Sequence, residues 1–180
     1  MTPKRTRAKT RSRCDADITR HNRKFTFRFK DKKLVIAKKE HESEFHVYAK
    51  ALCYELYHKQ YPNMRIEANL EDRYQPDLSA EGYDGTMLFW GECGKVSMDK
   101  IEKLFKKYRR ARFVFIKEES EIPRFIEQLN KRFKKFSSSP KVDIVTYHEH
   151  FHDWYVSPEG DVFMPREEVE ITEWQIGEGA

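Results

Sequence analysis

Two apolar segments constrain this chain more than any other feature. Arg112-Phe-Val-Phe-Ile-Lys117 is a run of large apolar residues, the pattern of a strand buried on both faces, and Val142–Tyr147 reads as one more strand. Between them, Pro123 suits the first turn of a helix that is predicted to run to about Phe136, and Ser137-Ser138-Ser139-Pro140 reads as a loop. A strand, a helical crossover and a second strand make a parallel pair, so the fold is built on a sheet covered by helices.

The remaining elements fit around that unit. Phe25, Phe27 and Phe29 alternate with polar residues, and Leu34-Val35-Ile36 follows a turn-like Asp31-Lys32-Lys33; together they predict a hairpin with one apolar face. Ser43 caps a predicted helix whose stripe is Phe45, Tyr48, Ala49, Leu52, Cys53 and Leu56, ending near Tyr61-Pro62-Asn63. Residues 64–72 alternate only weakly. Tyr74–Leu78 reads as a short strand, Gly82-Tyr83-Asp84-Gly85 as a turn, and Thr86–Cys93 as an apolar strand. A basic helix is predicted over 97–110, with Ile101, Leu104, Phe105 and Tyr108 inward and Ser97 as cap. Ser157-Pro158-Glu159-Gly160 is a turn between two short strands. The expected fold class is α/β (α+β-like): a mixed central sheet flanked by helices.

Charge is segregated along the chain. Residues 1–24 carry a net +7, residues 25–152 +5 and residues 153–180 −7. The expected organisation is a flexible basic arm over 1–22, a domain over 23–152 and an acidic extension over 153–180, folded as a short hairpin on the domain. The arm, with Arg5 and Arg7, either tracks phosphates or is a solvated tail. No apolar run is long enough to span a bilayer, and the basic start lacks the apolar segment of a secretory signal. Cys14, Cys53 and Cys93 are scattered and odd in number, which suggests free thiols in a reducing, cytoplasmic setting. Oligomeric state is not legible.

Three acids stand where a metal could use them. Asp77 follows Pro76 on a predicted strand, Glu92 ends the next strand across a tight turn, and Glu44 lies in the first turn of the preceding helix. Adjacent antiparallel strands can bring Asp77 and Glu92 together, and carboxylates suit Mg²⁺ (or Mn²⁺), which keeps several waters. Lys95, Lys100 and Lys103 come next, and Lys100, Lys103, Lys107 and Arg110 recur at helical spacing as one basic ridge. Each piece has a plainer reading. Pro-Asp often starts a turn, Glu92 could end a strand at the surface, Glu44 favours a helix start through the dipole, and the ridge could be a solvated face.

Pro76-Asp77 followed by Trp90-Gly91-Glu92-Cys93-Gly94-Lys95 resembles the signature of the PD-(D/E)XK nuclease superfamily, and within it the YaeQ family. The resemblance includes the opening hairpin, His41-Glu42-Ser43-Glu44 at the start of the first helix, and the helix holding Lys100-Ile101 and Lys103. It covers roughly residues 25–147. It implies a restriction-endonuclease-like core, Mg²⁺ between Asp77 and Glu92, Glu44 as an outer acid, and Lys95 or Lys103 serving the transition state. The superfamily pattern puts lysine two residues after the Glu; here that position is Gly94. Lys95 falls one residue late and on a regular strand would face the other way. The helix lysines Lys100 and Lys103 could substitute.

The leading expectation is therefore a metal-dependent nuclease acting on DNA or RNA. A nuclease-like fold that only binds nucleic acid, and a protein-interaction factor, are the rivals. Cys93 lacks a histidine at nucleophile spacing and reads as a packed thiol. His148, His150 and His152 would share one face of a strand; alternate positions are about 7 Å apart, too far for good chelation of one zinc ion.

Overall fold

The computed structural model describes residues 23–30, 32–136, 140–147, 151–163 and 169–176. The arm over 1–22, with Arg5 and Arg7, lies outside them, as do His148 and His150.

The opening hairpin forms as expected from β1 (Lys24–Arg28) and β2 (Lys33–Ala37), paired antiparallel from Lys24↔Ala37 to Arg28↔Lys33. It is a two-stranded sheet of its own and not part of the main sheet. Its apolar face is taken by a helix: Phe25 and Phe27 each meet Tyr48 edge-on at 5.7 Å. That helix, α1 (Glu44–Tyr57), starts at Ser43, whose hydroxyl accepts from the His46 amide.

The main sheet has six strands: β3 (Arg65–Ile66), β4 (Leu78–Glu81), β5 (Met87–Cys93), β6 (Arg112–Glu118), β7 (Lys141–Tyr147) and β8 (Ile171–Trp174), side by side in that order. The two apolar runs pair parallel from Arg112↔Lys141 to Glu118↔Tyr147. The crossover between them is a 3-10 turn followed by α3 (Ile122–Phe133), with Pro123 in its first turn. A second parallel pair, β5 with β6, is joined through α2 (Met98–Lys107). The edges β3–β4, β4–β5 and β7–β8 are antiparallel, so the sheet is mixed.

Because β6 and β7 are buried on both faces, their side chains divide between two cores. Val114, Ile116 and Val145 face α1 and the hairpin, while Phe113, Phe115, Val142 and Ile144 face α2 and α3. The result is three layers, helix–sheet–helix, with the hairpin outside α1.

Several expectations shift. Tyr74–Leu78 is not a strand: β4 begins at Leu78, and Asp77 stands just before it, where Pro76 has no amide to donate to a ladder. Residues 64–72 contribute only the two-residue β3, and Glu67 at φ 50° turns the chain off the sheet. Of the strand expected to carry His148, His150 and His152, positions 148 and 150 lie outside the described residues, and position 152 belongs to a short helix, α4 (Phe151–Tyr155). The turn at 157–160 does separate a paired position on each side, Val156↔Val162. The acidic end also supplies β8, the edge strand of the main sheet, which the sequence did not suggest.

Candidate active site

The chemistry gathers at the carboxyl ends of β5 and β6 and the start of β4, where open α/β sheets commonly hold their sites. Asp77 is placed by the backbone: its amide donates to the Gly91 carbonyl at 3.0 Å. Its carboxylate accepts from the Cys93 amide (2.7 Å) and meets His46 Nε2 (2.9 Å). Burial alone would raise the Asp77 pKa; the His46 contact and the Cys93 amide outweigh it and hold the carboxyl below the usual aspartate range.

Glu92 lies beside Asp77 on the neighbouring strand, only 5% exposed. Lys100 reaches over from the first turn of α2 and sets its ammonium 2.6 and 2.7 Å from the two carboxylate oxygens. The Trp90 indole, two residues back on the same face, donates to one of them at 2.6 Å. Burial nevertheless pushes the Glu92 pKa up, against Lys100 and Trp90, and the Asp77 charge adds to the rise. Two carboxylates thus lie together in a largely buried place, with Lys100 against Glu92 and His46 against Asp77, a grouping of perturbed acids of the kind found at functional sites.

The site residues expected from sequence separate into groups. Asp77, Glu92 and Lys100 come together. Glu44 turns away and pairs with Arg23 at 2.5 Å, about half exposed. The face of α1 turned to Asp77 instead presents His46, which also touches Glu42 at 3.2 Å. Glu42 in turn bonds Lys50, a fully buried lysine shared with Glu67 at its other side. His46 and Lys50 are four residues apart on one face of α1, and Glu42, just before the Ser43 cap, continues that spacing; it is the sequence signal that points to this face rather than to Glu44. Lys95 and Lys103 are exposed and join neither carboxylate. On the ridge, Lys107 pairs with Asp72 at 2.8 Å, while Arg110 is exposed in the turn beyond α2, which ends at Lys107 rather than at 110.

Gly94 explains the missing lysine. Its φ of +96° takes the chain out of the strand, a conformation that strains a side-chain-bearing residue. Behind it, Lys117 of β6 is buried and donates to the Gly94 carbonyl, with its ammonium over the Phe125 ring. Cys93 is buried, and burial pushes its thiol pKa well up, as befits a packed thiol.

As donors, two carboxylates suit Mg²⁺ or Mn²⁺, which uses few protein ligands. Among the described residues no group of three or more His, Cys, Asp or Glu side chains is set to hold a metal, so any such ion rests on Asp77 and Glu92 with water.

Fold and site together define a three-layer α/β domain with a buried acid pair and a helix-borne lysine at the carboxyl ends of its parallel strands. The chain belongs to the YaeQ family, whose profile (YaeQ protein) matches residues 7–160. The fold is similar to that of the YaeQ protein from Pseudomonas syringae, at 18% identity and TM-score 0.60 over 85% of this chain and 90% of that one. It is also similar to the YaeQ protein from Xanthomonas axonopodis pv. citri, at 13% identity and TM-score 0.56 over 87% and 94%. No curated protein matches the sequence. No helix among the described residues is long and apolar enough to cross a membrane.

Proposed function

We propose that this chain hydrolyses phosphodiester bonds of DNA or RNA with a divalent metal, in the manner of the PD-(D/E)XK nucleases that its motif resembles. The observation that best supports this reading is the convergence of Asp77, Glu92 and Lys100, with Lys100 in the role that the pattern gives to the position of Gly94.

Asp77 and Glu92 would hold Mg²⁺ or Mn²⁺. Bound there, such an ion lowers the pKa of a coordinated water and draws off charge from the scissile phosphate. The chain's own groups do the rest. Lys100 sits at the mouth of the acid pair, where its ammonium faces the charge that develops on a phosphate oxygen. His46 fixes the orientation of Asp77, and Trp90 fixes that of Glu92. Lys103 and Lys107 on α2, and Arg110 just beyond it, supply phosphate contacts, which position a backbone without reading sequence. The buried thiols Cys53 and Cys93 accord with a reducing, cytoplasmic setting.

The second reading, a nucleic-acid-binding protein without hydrolysis, has one observation in its favour: both Glu92 oxygens are already held by Lys100. A cleavage assay decides. Labelled DNA and RNA are incubated with Mg²⁺ or Mn²⁺ and wild type, Asp77→Ala, Glu92→Ala or Lys100→Ala. Metal-dependent cutting that all three variants lose supports hydrolysis. Retention of nucleic acid by wild type without cutting at high enzyme concentration supports the second reading.

A further inference from the structure

The β4–β5 hairpin ends in a turn that displays an aromatic ring. Tyr83 is 104% exposed, the largest exposure among the exposed large apolar side chains. The turn beneath it is locked. The Gly82 amide donates to the Thr86 carbonyl (2.8 Å), and Asp84 accepts from both the amide (3.0 Å) and the hydroxyl (2.8 Å) of Thr86. Gly85 supplies the left-handed φ of +77° that the turn needs. Leu88, the extra residue of a bulge in β5, stands beside it at 40% exposure, against Gly82. A loop braced in this way projects its tyrosine at a fixed point, although nothing in the fold uses the ring.

The helix α2 lies along β5 in the opposite direction. Its first turn meets Glu92 through Lys100, and its last residues meet Trp90 through Tyr108, stacked at 5.4 Å. Beyond its end at Lys107 the chain turns through Tyr108 to the exposed Arg110, whose positive charge, behind the larger effect of the Thr86 hydrogen bonds, helps hold the Asp84 carboxyl at the hairpin tip below its usual range. The flank of α2 that carries Glu102 and Asp99 is neutralised by Arg132 of α3. Lys106 also pairs with Glu102, and Lys107 with Asp72, whereas Lys103, Arg109 and Arg110 are exposed and without an ion pair among the described residues.

The geometry points to a track for single-stranded nucleic acid that runs from the Asp77–Glu92 pair along α2 to the hairpin tip, where Tyr83 stacks on an unpaired base. This rests on the hydrolase reading for its starting point and names the substrate that reading leaves open. Exposed cations follow the phosphates, and an exposed phenol offers a π-face to any base, but only to one not already stacked in a duplex. From Glu92 to the tip the strand and turn span roughly 20 Å, at about 3.3 Å per residue. Such a path accommodates about six stacked nucleotides at 3.4 Å each.

The test is binding of the full chain, with a chelator present so that nothing is cut, to fluorescein-labelled 12-nucleotide DNA and RNA, single-stranded and duplex. Wild type is expected to bind the single strands more tightly. Tyr83→Ala should weaken single-strand binding at least about fivefold, Tyr83→Trp should retain it, and duplex binding should stay unchanged. Arg110→Ala should weaken all binding and lower the slope of log affinity against log salt by about one. Single-strand affinity unaltered in Tyr83→Ala, or lost equally for duplex, overturns the track. Because binding is read without cleavage, the two readings fail separately: metal-dependent cutting with unaltered Tyr83→Ala binding removes the track alone, and Tyr83-dependent binding without cutting removes hydrolysis alone.

Discussion

Lys117 on β6 donates to the carbonyl oxygen of Gly94 on β5, one step beyond the last parallel pair, Cys93↔Ile116. A side chain thus continues the ladder where Gly94 has left the strand. Lys117 is 4% exposed and has no ion pair among the described residues, and burial holds its pKa below the usual lysine range. Between that lowered value and the unfolded value near 10.5, the unfolded chain binds more protons, so the wild type gains stability as pH rises through the window. Below it the penalty is complete. Lys117→Met is therefore expected to equal or exceed wild type by about 1 kcal/mol at pH 7, with the advantage vanishing by pH 11. Urea unfolding at both pH values measures this; a Met variant that is markedly weaker at pH 7 contradicts it.

Asp77 has the opposite dependence. Its carboxyl is held below its ordinary value of 3.8, so its contribution is present above that value and is lost as pH falls through the lowered one. Asp77→Asn should cost about 1–2 kcal/mol at pH 7 and progressively less as pH is taken below 3.8, compared by thermal unfolding. An equal cost throughout would mean that charge plays no part in the His46 and Cys93 contacts.

Gly160 docks the 157–160 turn against the hairpin. A Cβ there would lie 2.1 Å from the Thr26 carbonyl oxygen, and φ is +85°. Gly160→Ala should destabilise by about 3 kcal/mol or release the turn. Gly85→Ala, at φ +77° with open space around it, should cost only about 1 kcal/mol. Melting temperatures of the two variants give the ranking.

Asp143, buried in β7, accepts from Tyr57 of α1 (2.7 Å) and from Arg112 of β6 (2.6 and 2.8 Å). Asp143→Ala leaves a guanidinium without its counter-charge and should cost about 3–5 kcal/mol. Tyr57→Phe removes one hydrogen bond and should cost about 1–2 kcal/mol. A double variant whose cost falls short of the sum establishes coupling between them.

The frame was legible because periodicity reports burial: Phe113, Val114, Phe115 and Ile116 can only be a strand covered on both faces, and it is. Ser43 and Ser97 likewise mark their helix starts through local chemistry. What stayed hidden depends on partners distant in sequence. Nothing in Ile171–Trp174 says that it pairs with β7, because an edge strand has only one neighbour and weak alternation. Asp77 and Glu92 were named from the motif. Glu42 and His46 share a four-residue spacing with Lys50, but only packing shows that this face meets Asp77, and the role of Lys117 arises from how β6 meets β5, which no spacing within one element encodes. The sequence offers both Lys100 and Lys103 as lysines that could reach in from the helix, and only packing shows that Lys100 is the one that turns inward to Glu92.

The bond from Trp90 to Glu92 has an optical consequence. The indole is fully buried, stacked on Tyr108 and tied to one carboxylate oxygen. Whatever arrives at that oxygen, a proton or a cation, changes the electron distribution of the ring. Ultraviolet emission from Trp90 is therefore an intrinsic gauge of the acid pair, readable with neither substrate nor dye once the other two tryptophans, Trp154 and Trp174, are replaced.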